Sequence, residues 1–241
     1  MEDSNRNGIV DAGETDPMST DSDGDGLDDG VEDANCNGSL DAGETAANNP
    51  DTDSDGLDDL TEVTIGSNPQ EEDSDQDHIN DLEDGIIDSD GDGTINLWDL
   101  DSDDDGILDI TEGVTDPDGD GTPNFLDDDS DGDGILDLVE TGLDSDGDTI
   151  RNFLDDDSDA DGVSDFLETD ADTDGDGTPN FLDDDSDGDG YLDSFETGAD
   201  VDGDGIPNCW DTDSDGEGLL DAEEMAAGTD LFLVDTDGDL L

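Results

Sequence analysis

The stretch Asn180-Phe-Leu-Asp-Asp-Asp-Ser-Asp-Gly-Asp-Gly-Tyr-Leu-Asp193 puts six aspartates into fourteen residues. Like charges at this density repel, and a chain that carries them needs a reason to fold. The whole sequence poses the same problem. Its 241 residues include 83 acids against Arg6, Arg151 and a single histidine, His78, for a formal net charge of -81. Hydrophobic residues make up 27% and aromatics 4%. Low hydrophobicity with high net charge ordinarily marks a disordered chain. The sign repels nucleic acid and anionic membranes and attracts cations. No apolar run approaches the length of a membrane span. Cys36 and Cys209 lie 173 positions apart, which is no disulfide framework.

Disorder does not explain the phase of the acids. Aligning the glycines gives a twelve-residue pattern with oxygen-bearing side chains at positions 1, 3, 5, 9 and 12. It occurs fifteen times, and a sixteenth copy starts at Asp235 with Asp237 and Asp239. Position 1 is always Asp and position 12 always Glu or Asp; position 6 is Gly in all copies but two, where His78 and Thr149 stand. This is the pattern of an EF-hand type calcium loop. Side chains at 1, 3 and 5 donate oxygens, position 7 adds its carbonyl, position 9 acts through water, position 12 closes the shell, and glycine at 6 permits the turn. Hard oxygen donors without Cys or His suit calcium rather than zinc or copper.

Taken in order, the candidate ligands are Asp3, Asn5, Asn7, Asp11 and Glu14; Asp21, Asp23, Asp25, Asp29 and Glu32; Asp33, Asn35, Asn37, Asp41 and Glu44; Asp51, Asp53, Asp55, Asp59 and Glu62; and Asp73, Asp75, Asp77, Asp81 and Asp84. Next come Asp88, Asp90, Asp92, Asn96 and Asp99; Asp101, Asp103, Asp105, Asp109 and Glu112; Asp116, Asp118, Asp120, Asn124 and Asp127; Asp129, Asp131, Asp133, Asp137 and Glu140; and Asp144, Asp146, Asp148, Asn152 and Asp155. The series closes with Asp157, Asp159, Asp161, Asp165 and Glu168; Asp172, Asp174, Asp176, Asn180 and Asp183; Asp185, Asp187, Asp189, Asp193 and Glu196; Asp200, Asp202, Asp204, Asn208 and Asp211; and Asp213, Asp215, Glu217, Asp221 and Glu224.

The spacing excludes true EF-hands. Between Asp88 and Asp213 the starts alternate at 13 and 15 residues, which leaves one or three residues between loops and no room for flanking helices. Two loops make a 28-residue unit, the mark of a quasi-one-dimensional stack. One kind, the glutamate loop, ends in Glu; the other, the asparagine loop, has Asn at position 9 and Asp at 12. The sequence thus divides into irregularly spaced loops (1–87), regular two-loop repeats (88–212), and a final loop, connector and partial loop (213–241). Asp127 and Asp183 each stand two residues before the next loop's first Asp. Alternate side chains of an extended segment share a face, so these carboxylates are expected to bridge successive ions. Fifteen divalent ions would reduce -81 to -51 and thirty to -21; the remaining charge is either answered by a second ion per loop or left as a solvated face, so about one to two ions per loop are expected.

Apolar residues concentrate at positions 7, 10 and 11, among them Leu97, Trp98, Ile107, Phe125, Ile135, Phe153, Phe166, Phe181, Tyr191, Phe195 and Trp210. Each is expected to pack on a neighbouring loop, within mostly irregular backbone with little helix or strand. The segments Val63–Pro69 and Met225–Leu231 match each other as connectors.

The loops starting at Asp3 and Asp33 resemble dockerin calcium loops. The arrays and their Gly-Ser-Asn-Pro type connectors resemble thrombospondin type 3 repeats of large bacterial surface and secreted proteins, over nearly the entire chain. That resemblance implies an elongated, calcium-stabilised linear repeat with backbone wound around a string of ions, and ligand roles for Asp185, Asp187, Asp189, Asp193, Glu196 and their equivalents. Animal thrombospondin repeats carry regular disulfides; here two cysteines shift that stabilising role to metal. The expected function is structural: an extracellular or cell-surface spacer, stalk or fibre segment. The alternative is a calcium-dependent adhesion or self-assembly module, with a cell-surface partner or other copies of itself in a filament. Enzymatic chemistry is not expected, because one histidine at a turn position assembles no catalytic set.

Overall fold

The computed structural model describes residues 7, 9–11 and 13–234; Asp3, Asn5, Asp235, Asp237 and Asp239 lie outside the described residues. Among those described there is no strand, and helix comes only in pieces of three to seven residues. Eight are α-helical: α1 (Asp29–Glu32), α2 (Asp59–Ile65), α3 (Asp81–Asp84), α4 (Asp109–Glu112), α5 (Asp137–Glu140), α6 (Asp165–Glu168), α7 (Asp193–Glu196) and α8 (Asp221–Ala227). Five are 3-10 turns: η1 (Asn96–Trp98), η2 (Asn124–Leu126), η3 (Asn152–Leu154), η4 (Asn180–Leu182) and η5 (Asn208–Trp210).

Every one of these pieces begins at position 9 of a loop, and the loop's kind selects its type. In the loop 73–84 and in the glutamate loops other than 3–14 and 33–44, where Glu14 and Glu44 themselves donate to position 9, the residue after position 12 donates back to the position-9 carbonyl, as Thr141 N–H does to Asp137 at 2.8 Å. In asparagine loops position 12 itself makes that bond, as Asp127 N–H does to Asn124 at 3.0 Å, and the chain turns extended at once. Between Asp88 and Asp213 the tighter 3-10 turn therefore precedes the one-residue link and the α turn the three-residue link. Loop ends are also tied together. The position-9 N–H donates to the carbonyl of the residue before the loop, for example Asp193 to Asp184 at 3.0 Å.

The two matching connectors are the same structure. The helices α2 and α8 each run to seven residues and end on a left-handed glycine, Gly66 and Gly228, whose N–H returns to Glu62 and Glu224.

Contacts divide the chain into two units, residues 1–104 with 108–114, and residues 105–107 with 115–241. The first buries Ile79 and Leu97; the second buries Ile107, Phe125, Ile135, Phe153, Val163, Phe181, Cys209 and Leu231. All but Leu231 are position 7 of a loop that closes in an α turn or position 10 of an asparagine loop. Cys209 occupies the place of the buried phenylalanines; both cysteines are free thiols. Three aromatics depart from the expected packing: Phe166, Phe195 and Trp98 are 72%, 58% and 41% exposed. Phe195 stacks instead between Tyr191 and Phe232, with ring centroids 5.5 and 5.9 Å away.

At position 6 the backbone is left-handed, as the motif requires, and the two non-glycine residues obey it: φ is +80° at His78 and +92° at Thr149. A side chain with a Cβ is strained there. Thr149→Gly is expected to stabilise the folded chain by about 1 kcal/mol, read as a higher thermal midpoint in calcium; a lower midpoint would show that the threonine is needed for a contact.

Candidate metal centres

In the loops that close in α turns, the carboxylates at positions 3 and 5 each spend one oxygen on the chain. Asp131 Oδ1 accepts the Asp133 N–H at 3.1 Å, and Asp133 Oδ1 accepts the Ile135 N–H at 2.7 Å. Their Oδ2 atoms are buried without a hydrogen-bond partner. Position 12 goes further. Glu140 is 1% exposed, and neither of its oxygens has a partner. The same holds for Glu62, Asp84, Glu168 and Glu196, each accompanied by buried, unpaired Oδ2 atoms at positions 3 and 5 of its own loop. Glu32 differs in one respect: its Oε1 accepts the Thr45 hydroxyl at 3.0 Å. In the loop 213–224 the inward set is Asp215 and Glu224, while Glu217 is exposed.

Burial and the facing acids drive these groups to hold protons. Glu140 and Glu168 are pushed from the ordinary 4.5 up to about 10, Glu196 to about 9 and Glu62 to about 8, by desolvation first and neighbouring aspartates second. A buried, unpaired carboxylate is costly by several kcal/mol. The protein has almost no cations to answer it. Arg151, for one, donates to the Gly142 carbonyl at 2.6 Å. The geometry fits a hard divalent cation: carboxylate oxygens of Asp21, Asp23 and Asp25 lie within 4.8 Å of one another, as do those of Asp51, Asp53 and Asp55, of Asp73, Asp75 and Asp77, and of Asp88, Asp90 and Asp92. All-oxygen donor sets of this kind suit such ions.

The asparagine loops are built differently. Positions 1, 3 and 5 lie at the surface, apart from the half-buried Asp90, even where they converge as in the loop 88–99; Asp172, Asp174 and Asp176 are exposed. The asparagine has a double duty at the loop's closure. Asn180 Oδ1 accepts the Thr173 N–H at 3.0 Å, and its Nδ2 donates to the Glu168 carbonyl at 3.3 Å. Asn96, Asn152 and Asn208 reach back twelve residues in the same way, to Asp84, Glu140 and Glu196. In Asn124 the amide donates to the Thr115 hydroxyl at 3.1 Å. Position 12 then links to the next loop: Asp183 Oδ1 accepts the Asp185 N–H at 3.1 Å, and its carboxylate faces Asp174, Asp176 and Asp185. Asp99, Asp127, Asp155 and Asp211 repeat that link.

The aspartates at position 9 of the loops closing in α turns accept the N–H of position 2, as Asp137 does from Ser130 at 2.9 Å, and all but the half-buried Asp29 are fully buried. This closure makes position 2 a functional position the motif did not flag. Its signal was present, since twelve of the fifteen copies have Ser or Thr there. Position 4 is likewise left-handed, at Ala160 and Asp104 as well as at many glycines.

The loop 33–44 stands apart. The amides of Asn35 and Asn37 donate to Asp41 Oδ2 at 2.8 and 2.7 Å, and Asn35 also reaches Glu44 at 3.0 Å. These bonds hold the Asp41 carboxyl below its ordinary range. In the opening loop Asn7 makes the same bond to Asp11 at 2.6 Å.

Compared with models of known families and with curated proteins, the chain matches none. No described helix is long and apolar enough to cross a membrane.

Proposed function

We propose that this chain is a calcium-rigidified spacer, a stalk or fibre segment that works outside the cell or on its surface. One observation carries the reading: the repeated glutamates at position 12, buried with both oxygens unpartnered, at Glu62, Glu140, Glu168 and Glu196. A catalytic or sensing role would call for one such centre, whereas a serial array supports extension. Calcium is the fitting ion because each loop offers several carboxylates in a flexible oxygen shell, and magnesium keeps its waters. Weak loops of this type fill at Kd of about 10⁻⁴ to 10⁻³ M, the range of extracellular modules.

Stretching a single tethered chain tests the reading. In ~1 mM calcium it is expected to hold a fixed extension and then yield in discrete steps, one or two loops at a time. With chelator it should stretch smoothly as a flexible polymer. A smooth curve in both conditions would sink the spacer reading.

A second reading, calcium-dependent adhesion or self-assembly, draws on the exposed apolar side chains at positions 10 and 11, Leu138, Phe166 and Phe195. Sedimentation separates the two. A spacer stays monomeric when calcium is added, and an assembly module does not.

A further inference from the structure

The buried aspartate at position 9 of the loops that close in α turns faces two ways. Its own loop holds it through position 2. It also lies against the loop of the same kind that precedes it. Carboxylate oxygens of Asp25, Glu32 and Asp59 lie within 4.8 Å of one another, although Asp59 belongs to the following loop. The arrangement recurs in both units. Asp81 faces Asp55 and Glu62. Asp165 faces Asp133 and Glu140. Asp193 faces Asp161 and Glu168, and Asp221 faces Asp189 and Glu196.

Two observations make this more than crowding. The receiving glutamates Glu62, Glu140, Glu168 and Glu196 are at most 1% exposed, with no partner for either oxygen. And loop closure does not need the charge. Asn152 Oδ1 takes the Ser145 N–H at 3.0 Å, the same distance at which Asp165 takes that of Ser158. Asparagine closes a loop as well as aspartate does, yet position 9 of every loop that closes in an α turn carries a carboxylate.

We propose that this aspartate completes the cation cage of the preceding glutamate loop rather than that of its own. The cage of 129–140 takes its last carboxylate from Asp165, that of 157–168 from Asp193, and that of 185–196 from Asp221. The inference rests on the calcium reading above. It makes each site dependent on its C-terminal neighbour and gives the array a direction, since a defect passes one site toward the N-terminus. A ligand shared in this way couples adjacent ions without any change of fold.

Amide exchange by mass spectrometry, run across a calcium titration on the full chain, resolves the loops. For Asp165→Asn the calcium midpoint for protecting residues 129–140 is expected to rise about tenfold, while the variant's own loop, 157–168, keeps its midpoint. For Asp193→Asn the defect should move to 157–168. Both variants should reach wild-type protection at saturating calcium, because the amide preserves loop closure. A shift confined to the mutated loop, a shift spread evenly over all loops, or no shift at all would each overturn the shared cage. If calcium protects no loop of the wild-type chain, the calcium reading itself fails.

Discussion

Chelating calcium is expected to unfold this chain. On the proposed calcium reading the buried carboxylates repel one another until a cation stands between them, so binding and folding form one equilibrium. A site with Kd ~10⁻⁴ M in ~1 mM calcium adds about 1.4 kcal/mol, and fifteen such sites contribute on the order of 20 kcal/mol. That exceeds the net stability of most domains, and the few buried apolar side chains cannot replace it. Small-angle scattering should show a radius of gyration of roughly 50 Å or more with chelator, the value for an unfolded chain of this length, and a smaller one with calcium. Equal magnesium should restore much less. Acid is expected to substitute in part. Glu140 and Glu168 are raised to about 10 in the metal-free fold, so the unfolded chain gives up these protons first and binds fewer. Stability of the metal-free fold is therefore greatest below the ordinary carboxylate range near ~4 and falls as pH climbs from there toward ~10. A chelated chain that scatters identically to the calcium-loaded one at pH 7 would contradict the coupling.

The second large effect is a local one. Asp185→Ala with Asp187→Ala removes positions 1 and 3 of one glutamate loop. Asp187 carries a buried, unpaired Oδ2 and also holds the Asp189 N–H at 3.1 Å, so the double change strips both the candidate cation site and the turn. It also removes one of the charges that face Asp183 in the loop before. Protection of residues 172–200 in ~1 mM calcium is expected to fall at least about tenfold, the equivalent of one lost site, with new protease cleavage at Phe181 or Tyr191. Residues 88–129 should stay protected, because stability in a linear array is a sum of local terms. Uniform loss along the chain would instead reveal a single cooperative domain.

Much of this architecture was legible in the residues. Glycine at position 6 announced a left-handed turn, and even the exceptions His78 and Thr149 adopt it. The acids at 1, 3, 5 and 12 announced convergence, and in the loops that close in α turns they converge. Other features were hidden because one residue type serves several ends. Asparagine at position 9 reads as an oxygen donor, yet Asn152 and Asn180 use both amide atoms on backbone groups. The choice between α and 3-10 turns rests on a single hydrogen bond at the end of each loop; it follows the loop's kind, but the ligand positions of the motif do not state it. Phe166 resembles Phe153 and Phe181 in type, and Phe166 too stands at position 10. Its loop, however, closes with an α turn that points it outward, so only the turn type decides which phenylalanine is core.

The asparagine hooks have a consequence for how such a chain can change in length. The hooks of Asn152, Asn180 and Asn208 each fasten an asparagine loop to the glutamate loop before it, and the following aspartate fastens it to the one after. Losing or gaining a single loop would leave a hook without its carbonyl. A 28-residue pair carries both fastenings with it. Within residues 129–212 the chain can therefore be lengthened or shortened by duplication or deletion of whole pairs with every fastening kept, so its length changes in fixed steps of 28 residues.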